Sequence, residues 1–339
     1  MADTRYDVAT IGNAIVDIIA KTDDKFLQDQ ELIKGAMTLI DADRAIVLYG
    51  RMGPAIEASG GSAANTAAGV ASLGGRAAFI GKVANDQFGG LFRHDIRAAG
   101  VAFDTPMSTD ETPTARSLIF VTSDAQRTMQ TYLGACLSLS PADVDPATIK
   151  QSKVVYLEGY LWDPPKAKEA FLEAARLAHG AGRKVSLTLS DPFCVERHRA
   201  SFRDLVENHV DILIANEMEI CSLWQVNNFD EALQATRGKC EVAALTRSER
   251  GAVIVADGEV HVVDAAPVAK VVDTTGAGDL FAAGFLYGYA TGYSRFDAGR
   301  IGAIAAAEVI RHIGPRPQVR LADLLPADLR APKRQAARR

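Results

Sequence analysis

The run Asp273-Thr274-Thr275-Gly276-Ala277-Gly278-Asp279 carries the chemistry most worth following, because it leads straight into the apolar, Ala-rich segment Leu280-Phe281-Ala282-Ala283-Gly284-Phe285. A helix N-terminus leaves backbone N–H groups unpaired and carries partial positive charge. Glycines at that point let an anion approach the backbone closely. Asp279 then stands at the mouth of an anion site, where a carboxylate is unfavourable unless it has a task. The matching task is to accept the proton of a hydroxyl that attacks a phosphate. An ordinary strand-to-helix turn with an N-terminal Asp has the same spacing, so the run alone leaves both readings open.

Three further groupings bear on binding. Gly60-Gly61-Ser62-Ala63-Ala64-Asn65 reads as a glycine turn entering a helix, with Asn65 one turn in and its amide aimed back over the glycines. An amide both donates and accepts, which suits vicinal hydroxyls; a plain helix start capped by Ser62 is the alternative. Asn13 and Asp17 lie four apart in an otherwise β-rich stretch with Val16, Ile18 and Ile19. A carboxylate buried there must be hydrogen-bonded, and a sugar diol would satisfy it; a strand-edge Asp facing water is the other reading. Asn216-Glu217-Met218-Glu219 follows a buried strand, at the strand end where parallel α/β sheets bind ligands. Asn216 and Glu219 are spaced to share a helix face and to orient Mg2+ through waters, or to serve as an N-cap and a solvated Glu.

Other chemistries are excluded. Gly75-Arg76-Ala77-Ala78-Phe79-Ile80-Gly81-Lys82-Val83 has glycines one position too far apart for a P-loop, and Val83 replaces the Ser/Thr that would meet Mg2+. Ile11-Gly12-Asn13-Ala14-Ile15-Val16 has one glycine where a dinucleotide fingerprint needs three. None of the six histidines forms a His-Glu-x-x-His zinc motif. Cys136, Cys194, Cys221 and Cys240 are scattered, without a Cys-x-x-Cys pair, which argues against a zinc knot or a disulfide framework. With a net charge of −5, nucleic acid and anionic membranes are not expected partners. The 339 residues are 48% hydrophobic and 23% charged with mean hydropathy near zero, a globular composition with ample material for a core. The start of the chain has no signal-peptide architecture and no run reaches membrane-spanning length, so the cytoplasm is the expected compartment.

The elements that must position these residues follow from the hydrophobic pattern. Residues 6–11 read as a buried strand and 14–20 as a β-rich stretch with which 38–40 is expected to pair. A helix is expected over 62–73, stopped by Gly74-Gly75, then a strand over 76–82 and a helix capped by Asp86 to residue 99. Residues 116–122 and 128–133 flank Ser123-Asp124-Ala125-Gln126 as a hairpin. Beyond them strands at 154–157, 184–189, 211–215, 242–246 and 252–255 alternate with helices at 165–179, 194–207 and from 217. Helices to residue 289 and over 295–311 close the pattern. The expectation is an α/β, doubly wound, mainly parallel sheet flanked by helices, with a small β-sheet lid. Residues 1–12, 46–104 and 134–325 are assigned to the large nucleotide-binding unit, 13–45 and 105–133 to the lid, and 326–339 to a basic flexible tail.

Taken together, Gly60 to Asn65, Gly81-Lys82-Val83-Ala84-Asn85-Asp86-Gln87-Phe88-Gly89, Asn216 to Glu219 and Asp273 to Asp279 resemble, in order and spacing, the ribokinase-like (PfkB) carbohydrate and nucleoside kinases. The resemblance runs from about residue 6 to about residue 318. It implies a phosphotransferase that uses ATP and Mg2+, with a monovalent cation such as K+ as a further candidate, acting as a monomer or homodimer on a small-molecule nucleoside or sugar. Leu187-Thr188-Leu189-Ser190-Asp191-Pro192-Phe193, Glu158-Gly159-Tyr160, 210–217 and Val309-Ile310-Arg311-His312-Ile313-Gly314 are most similar to the family's adenosine kinases. That similarity implies purine salvage, with transfer to the 5′-hydroxyl of adenosine. Ribose, fructose or a keto-deoxy sugar acid are the alternative acceptors, and a non-catalytic nucleoside sensor a third possibility.

The resemblance also implies roles. Asp279 is the base; Gly276, Ala277 and Gly278, with Thr275, supply donors for the transferred phosphoryl group; Arg127 reaches over it. Asn13, Asp17, Gly61 and Asn65 hold the ribose, and Met37, Ser62, Met129, Thr131 and Leu133 complete the acceptor site. Tyr160 and Phe193 sandwich the base, against the alternative of ordinary core aromatics. Asn216, Thr246, Ser248, Gly251, Thr275 and Gly278 face ATP, and Glu219 meets the metal through water. The chain departs from the family pattern at Thr246-Arg247-Ser248-Glu249-Arg250-Gly251, with Ser248 where glycine is usual.

Overall fold

The computed structural model describes residues 4–124 and 126–330. Strand Tyr6–Ile11 is buried at all six positions, the signature of a strand covered on both faces of a parallel sheet. It pairs in parallel with Ala77–Ile80 on one side and Ser152–Glu158 on the other. From Ser152–Glu158 the sheet continues in parallel through Lys184–Thr188, Ile212–Asn216 and Val242–Thr246. Ala252–Ala256 and Glu259–Val263 add antiparallel edges at that end, and Val101–Ala102 is the opposite edge. The result is a nine-stranded, mainly parallel sheet.

Apolar side chains cover both faces. One core joins Val8, Val154 and Ile212 to Leu280, Phe285 and Ile301 of helices Ala277–Thr291 and Arg295–Val309. The other joins Leu157, Leu187 and Leu213 to Phe171 and Phe202 of helices Pro165–Gly180 and Pro192–Asn208. No helix among the described residues is long and apolar enough to cross a membrane.

A second, five-stranded sheet lies in the order Met37–Leu39, Arg127–Tyr132, Ala115–Val121, Ile15–Lys21, Ala55–Gly60. The expected hairpin is present, with Val121 opposite Arg127; Ala125 of its turn lies outside the described residues. Two expectations change. Residues 37–39 pair with 129–131, not with the strand at 15–21, because Ala55–Gly60 already takes the free edge of that strand. That strand also carries residues 55–60 into the small sheet, although the boundary at 46 left them with the large unit. Ala-Ile-Glu-Ala-Ser-Gly runs from exposed to buried along its length without alternation, so it carries no strand signal.

The tail divides as well. Residues 331–339 lie outside the described residues. Residues 327–329 form a short 3-10 turn whose Leu329 is fully buried. The Tyr293 hydroxyl donates to the Leu329 carbonyl at 2.7 Å, and Arg300 pairs with Asp328 at 2.7 Å.

Candidate active site

The C-terminal ends of five adjacent parallel strands open onto one cleft of about 800 Å3 between the two sheets. Asn13 follows the first strand, Glu158 ends the second, and Thr188, Asn216 and Thr246 end the next three. This is the edge at which open α/β sheets bind ligands. The small sheet closes the other wall with Ile15, Asp17, Met37, Leu39, Ser117, Met129, Thr131 and Leu133.

One part of the cleft lining is the glycine turn. Gly276 has φ +80° and is the N-cap of helix Ala277–Thr291, a left-handed position that glycine adopts without strain. The Ala277 amide donates to Thr274 O at 3.2 Å, closing the turn, whereas no backbone carbonyl among the described residues takes the amides of Gly278 or Asp279. Two unpaired N–H groups at the positive end of a fifteen-residue helix form an anion site. The Asp273 carboxylate organises it: Oδ1 accepts from Thr275 N and Oδ2 from Gly314 N, both at 3.0 Å. Arg127 reaches across from the small sheet, its Nη1 donating to Thr275 Oγ1 at 2.6 Å and its Nη2 lying 2.7 Å from Asp273 Oδ2. Burial pushes this guanidinium below its ordinary pKa, against the Asp273 and Asp17 charges.

Asp279 sits in the first turn of that helix, half-buried. Ser62 Oγ donates to its Oδ1 at 2.6 Å and Asn65 Nδ2 to its Oδ2 at 2.9 Å. Burial raises its pKa, while those two bonds and the Arg316 charge oppose the rise. Ser62 therefore does not cap its helix: Gly61 is the N-cap, and the serine hydroxyl serves Asp279 instead. Asn65 has its amide oxygen taken as well, by Arg316 Nε at 2.8 Å. The free donor-and-acceptor pair expected of Asn65 for a diol is already engaged in the protein.

Asp17 differs. No hydrogen bond from a described residue reaches its carboxylate, although it lines the cleft and is only 9% exposed. Burial lifts its pKa to about 7, with Arg316 and Arg127 pulling it down. A Cβ at Gly60 would meet Asp17 Oδ2 at 2.2 Å, so the first residue of the glycine pair makes room for this side chain. Buried polar groups in native proteins find partners, and the cleft side is where this one is open. Asn13 is tied down, its Nδ2 donating to Glu158 Oε1 at 2.6 Å, while Ala63 N donates to Glu158 Oε2 at 2.8 Å. Burial raises Glu158 to about 7, opposed by those donors.

Another part of the cleft lining is aromatic and open. Phe193 is 72% exposed and Tyr160 37% exposed, so neither is a core aromatic. The Tyr160 hydroxyl donates to Ser190 O at 3.1 Å, and its amide donates to Ser190 Oγ at 3.0 Å, which fixes the ring at the cleft. Asp191 caps helix Pro192–Asn208, with Pro192 in the first turn, placing Phe193 at the rim. The helix kinks at His198, where His198 Nε2 bonds to Asp163 and Arg197 Nη2 donates to Asp163 Oδ2 at 3.1 Å.

Along the third wall, Asn216 and Glu219 form a capping box: Asn216 N donates to Glu219 Oε2 at 2.9 Å and Glu219 N to Asn216 Oδ1 at 2.9 Å. Glu219 is 5% exposed, not solvated, and burial raises its pKa to about 7. Its donor set fits an outer role toward Mg2+, because the carboxylate lines the cleft while each oxygen also holds an Asn216 donor. Among the described residues no group of three or more His, Cys, Asp or Glu forms a metal cluster.

Thr246 lines the cleft; Ser248 and Gly251 do not. Ser248 sits in an exposed turn with φ +53°, which gives the physical reason glycine is usual there. Gly251 has φ +77°, and a Cβ on it would meet Val263 O at 2.0 Å, a requirement of the turn itself. Arg316, Glu158 and Asp273 were given no role from sequence. Glu158 carried a signal, a carboxylate ending a buried strand on the binding edge. Arg316 lies in the loop Gly314-Pro315-Arg316-Pro317, which offers none.

The profile of the "pfkB family carbohydrate kinase" matches residues 56–320. The structure of an adenosine kinase from Sinorhizobium meliloti is 58% identical, with a TM-score of 0.88 over 94% of this chain and 98% of that one. A probable sugar kinase protein from Rhizobium etli is 57% identical, with a TM-score of 0.89 over 95% and 98%. Among curated relatives, the 5-dehydro-2-deoxygluconokinase of Geobacillus thermodenitrificans is 29% identical over 74% of this chain and 78% of its own length.

Proposed function

The chain belongs to the pfkB family of carbohydrate kinases and is a phosphotransferase acting on a small molecule with ATP; on that footing we propose that its acceptor is adenosine, phosphorylated at the 5′-hydroxyl to give AMP and ADP. The observation that carries this choice is the pair Tyr160 and Phe193, exposed aromatic residues that both line the cleft. A free sugar has no flat ring to place between them, whereas a purine does. The Sinorhizobium meliloti neighbour's name is in line with this reading. The names of the Rhizobium and Geobacillus relatives favour a sugar instead, which makes ribose and fructose the competitors to test.

In this reading the ribose hydroxyls satisfy the Asp17 carboxylate, and the glycines beside it let the sugar lie close to the backbone. The 5′-oxygen then points toward Asp279. As that oxygen bonds to the γ-phosphorus and the bond to the ADP oxygen breaks, Asp279 takes the hydroxyl proton. The charge on the moving phosphoryl group is met by the unpaired amides of the 276–279 turn and by Arg127. Glu219 would hold Mg2+ through water, and the ion when bound would supply charge neutralisation on the nucleotide phosphates. The small sheet shields the transfer from water, which would otherwise compete as acceptor.

The deciding measurement is kcat/KM for adenosine against inosine, guanosine, ribose and fructose under one set of conditions. Adenosine is expected to lead. A preference for a free sugar would overturn the acceptor assignment and leave the family and the anion turn as they are.

A further inference from the structure

Arg316 arrives at the site from a C-terminal loop, yet it hydrogen-bonds two elements from the N-terminal part of the chain. Its Nε donates to Asn65 Oδ1 at 2.8 Å, and its Nη2 donates to Ser59 Oγ at 3.0 Å. Ser59 is 1% exposed, on the small-sheet strand Ala55–Gly60. Its amide and hydroxyl both donate to Asp95 Oδ2, at 2.7 and 2.6 Å, on helix Gln87–Ala98 of the large unit. A continuous series of bonds thus runs Asp95, Ser59, Arg316, Asn65, Asp279.

Direction matters in this series. A side-chain amide can turn by half a revolution and exchange its oxygen for its nitrogen. A guanidinium has only donors, so it fixes the Asn65 oxygen toward itself and the Asn65 NH2 toward Asp279. Without it, the reversed amide would set two oxygens against each other at Asp279. The same guanidinium places positive charge near Asp17 and Asp279, two carboxylates that would otherwise repel across the acceptor site.

We propose that Arg316 is a positioning residue for the transfer: it orients the Asn65 amide so that Asp279 is held in the geometry of the base, and through Ser59 it ties that geometry to the small sheet. This rests on Asp279 being the base in the reading above.

The test is a double-mutant cycle of Arg316→Gln and Asn65→Ala, run on whichever acceptor the wild type phosphorylates fastest. Should the wild type fail on adenosine, the acceptor assignment falls, while the ratios of variant to wild type still decide the role of Arg316. Arg316→Gln is expected to lower kcat roughly 10- to 100-fold through misalignment, with KM for ATP within about twofold of wild type. In the Asn65→Ala background the same substitution is expected to change kcat by less than about twofold, because the residue acts through that amide. Additive losses, an unchanged kcat, or a loss confined to KM would each overturn the proposal. Should Arg316→Gln fail to fold, Arg316→Lys runs the same cycle, since an ammonium keeps the charge but does not reproduce the two-pronged contact. Failure of both to fold would place Arg316 in the scaffold and overturn the proposal as well.

Discussion

Two regions of the cleft, the anion turn and the aromatic lining, are built on opposite plans. At the anion turn the polar side chains interlock: Asp279 is held by Ser62 and Asn65, Asn65 by Arg316, Thr275 by Arg127. In the aromatic region Phe193 stands 72% exposed, and among the described residues Tyr160 is hydrogen-bonded by Ser190. The first plan spends contacts on alignment, which matters in the transition state. The second offers a broad apolar face, which lends affinity and little geometry. Damage in the interlocked region should therefore appear in kcat, and damage in the open region in KM.

The largest effect is expected at Asp279. Asp279→Asn should keep the fold and nucleotide binding while lowering kcat by roughly 10²- to 10⁴-fold. Single-turnover phosphoryl transfer checks this, and near-normal turnover would end the base assignment. Asp17 lines the same cleft and sharpens the contrast. Its carboxylate should favour adenosine over 2′-deoxyadenosine by about 1–3 kcal/mol in kcat/KM, the cost of leaving a buried polar group unpaired. Asp17→Ala should erase that discrimination, and equal values in the wild type would remove the diol from its role.

Phe193→Ala is the test of the open region. Stacking on a base is worth about 1–3 kcal/mol, so KM for adenosine should rise about tenfold. Neither kcat nor KM for ATP should move much, and the melting temperature should hold because the ring is largely in solvent. A fall in kcat equal to the rise in KM would show that the two regions are not separable.

The smallest effect concerns pH. Asp17 is raised to about 7 in the folded chain, against about 3.9 in an unfolded one. The stabilisation from its bound proton is complete below the unfolded value and is lost as pH rises through about 7. Asp17→Asn should therefore gain melting temperature relative to wild type at pH 8 and lose that advantage by pH 5. Parallel stability curves for the two proteins would mean that the carboxylate is not desolvated.

The same contrast explains what could be read in advance. The alternation of buried strands and capped helices made the centre of the large sheet legible, since those strands declare themselves through local apolar runs; the two edge strands Val101–Ala102, only two residues long, and Glu259–Val263, largely exposed, do not. The anion turn was legible because its glycines, its carboxylate and its helix are contiguous. The strand Ala55–Gly60 was not, lacking a buried alternation. Nor was the engagement of Asn65, because its partner Arg316 lies 251 residues away in a loop without pattern. The Ser248 departure became intelligible only with its backbone angle of +53°: the position tests conformation, not contact.

The distance in sequence between those partners has a consequence for how the enzyme comes into being. The bonds that hold Asp279 join residues 217 and 214 positions apart, and the next one spans 251. A chain that has acquired its early strands and helices has yet to assemble the surroundings of the Asp279 carboxylate. Contacts of such long range are late and slow to form. During refolding, helical signal should thus recover before turnover, and a chain halted between residues 279 and 316 would carry the anion turn without the guanidinium that completes it.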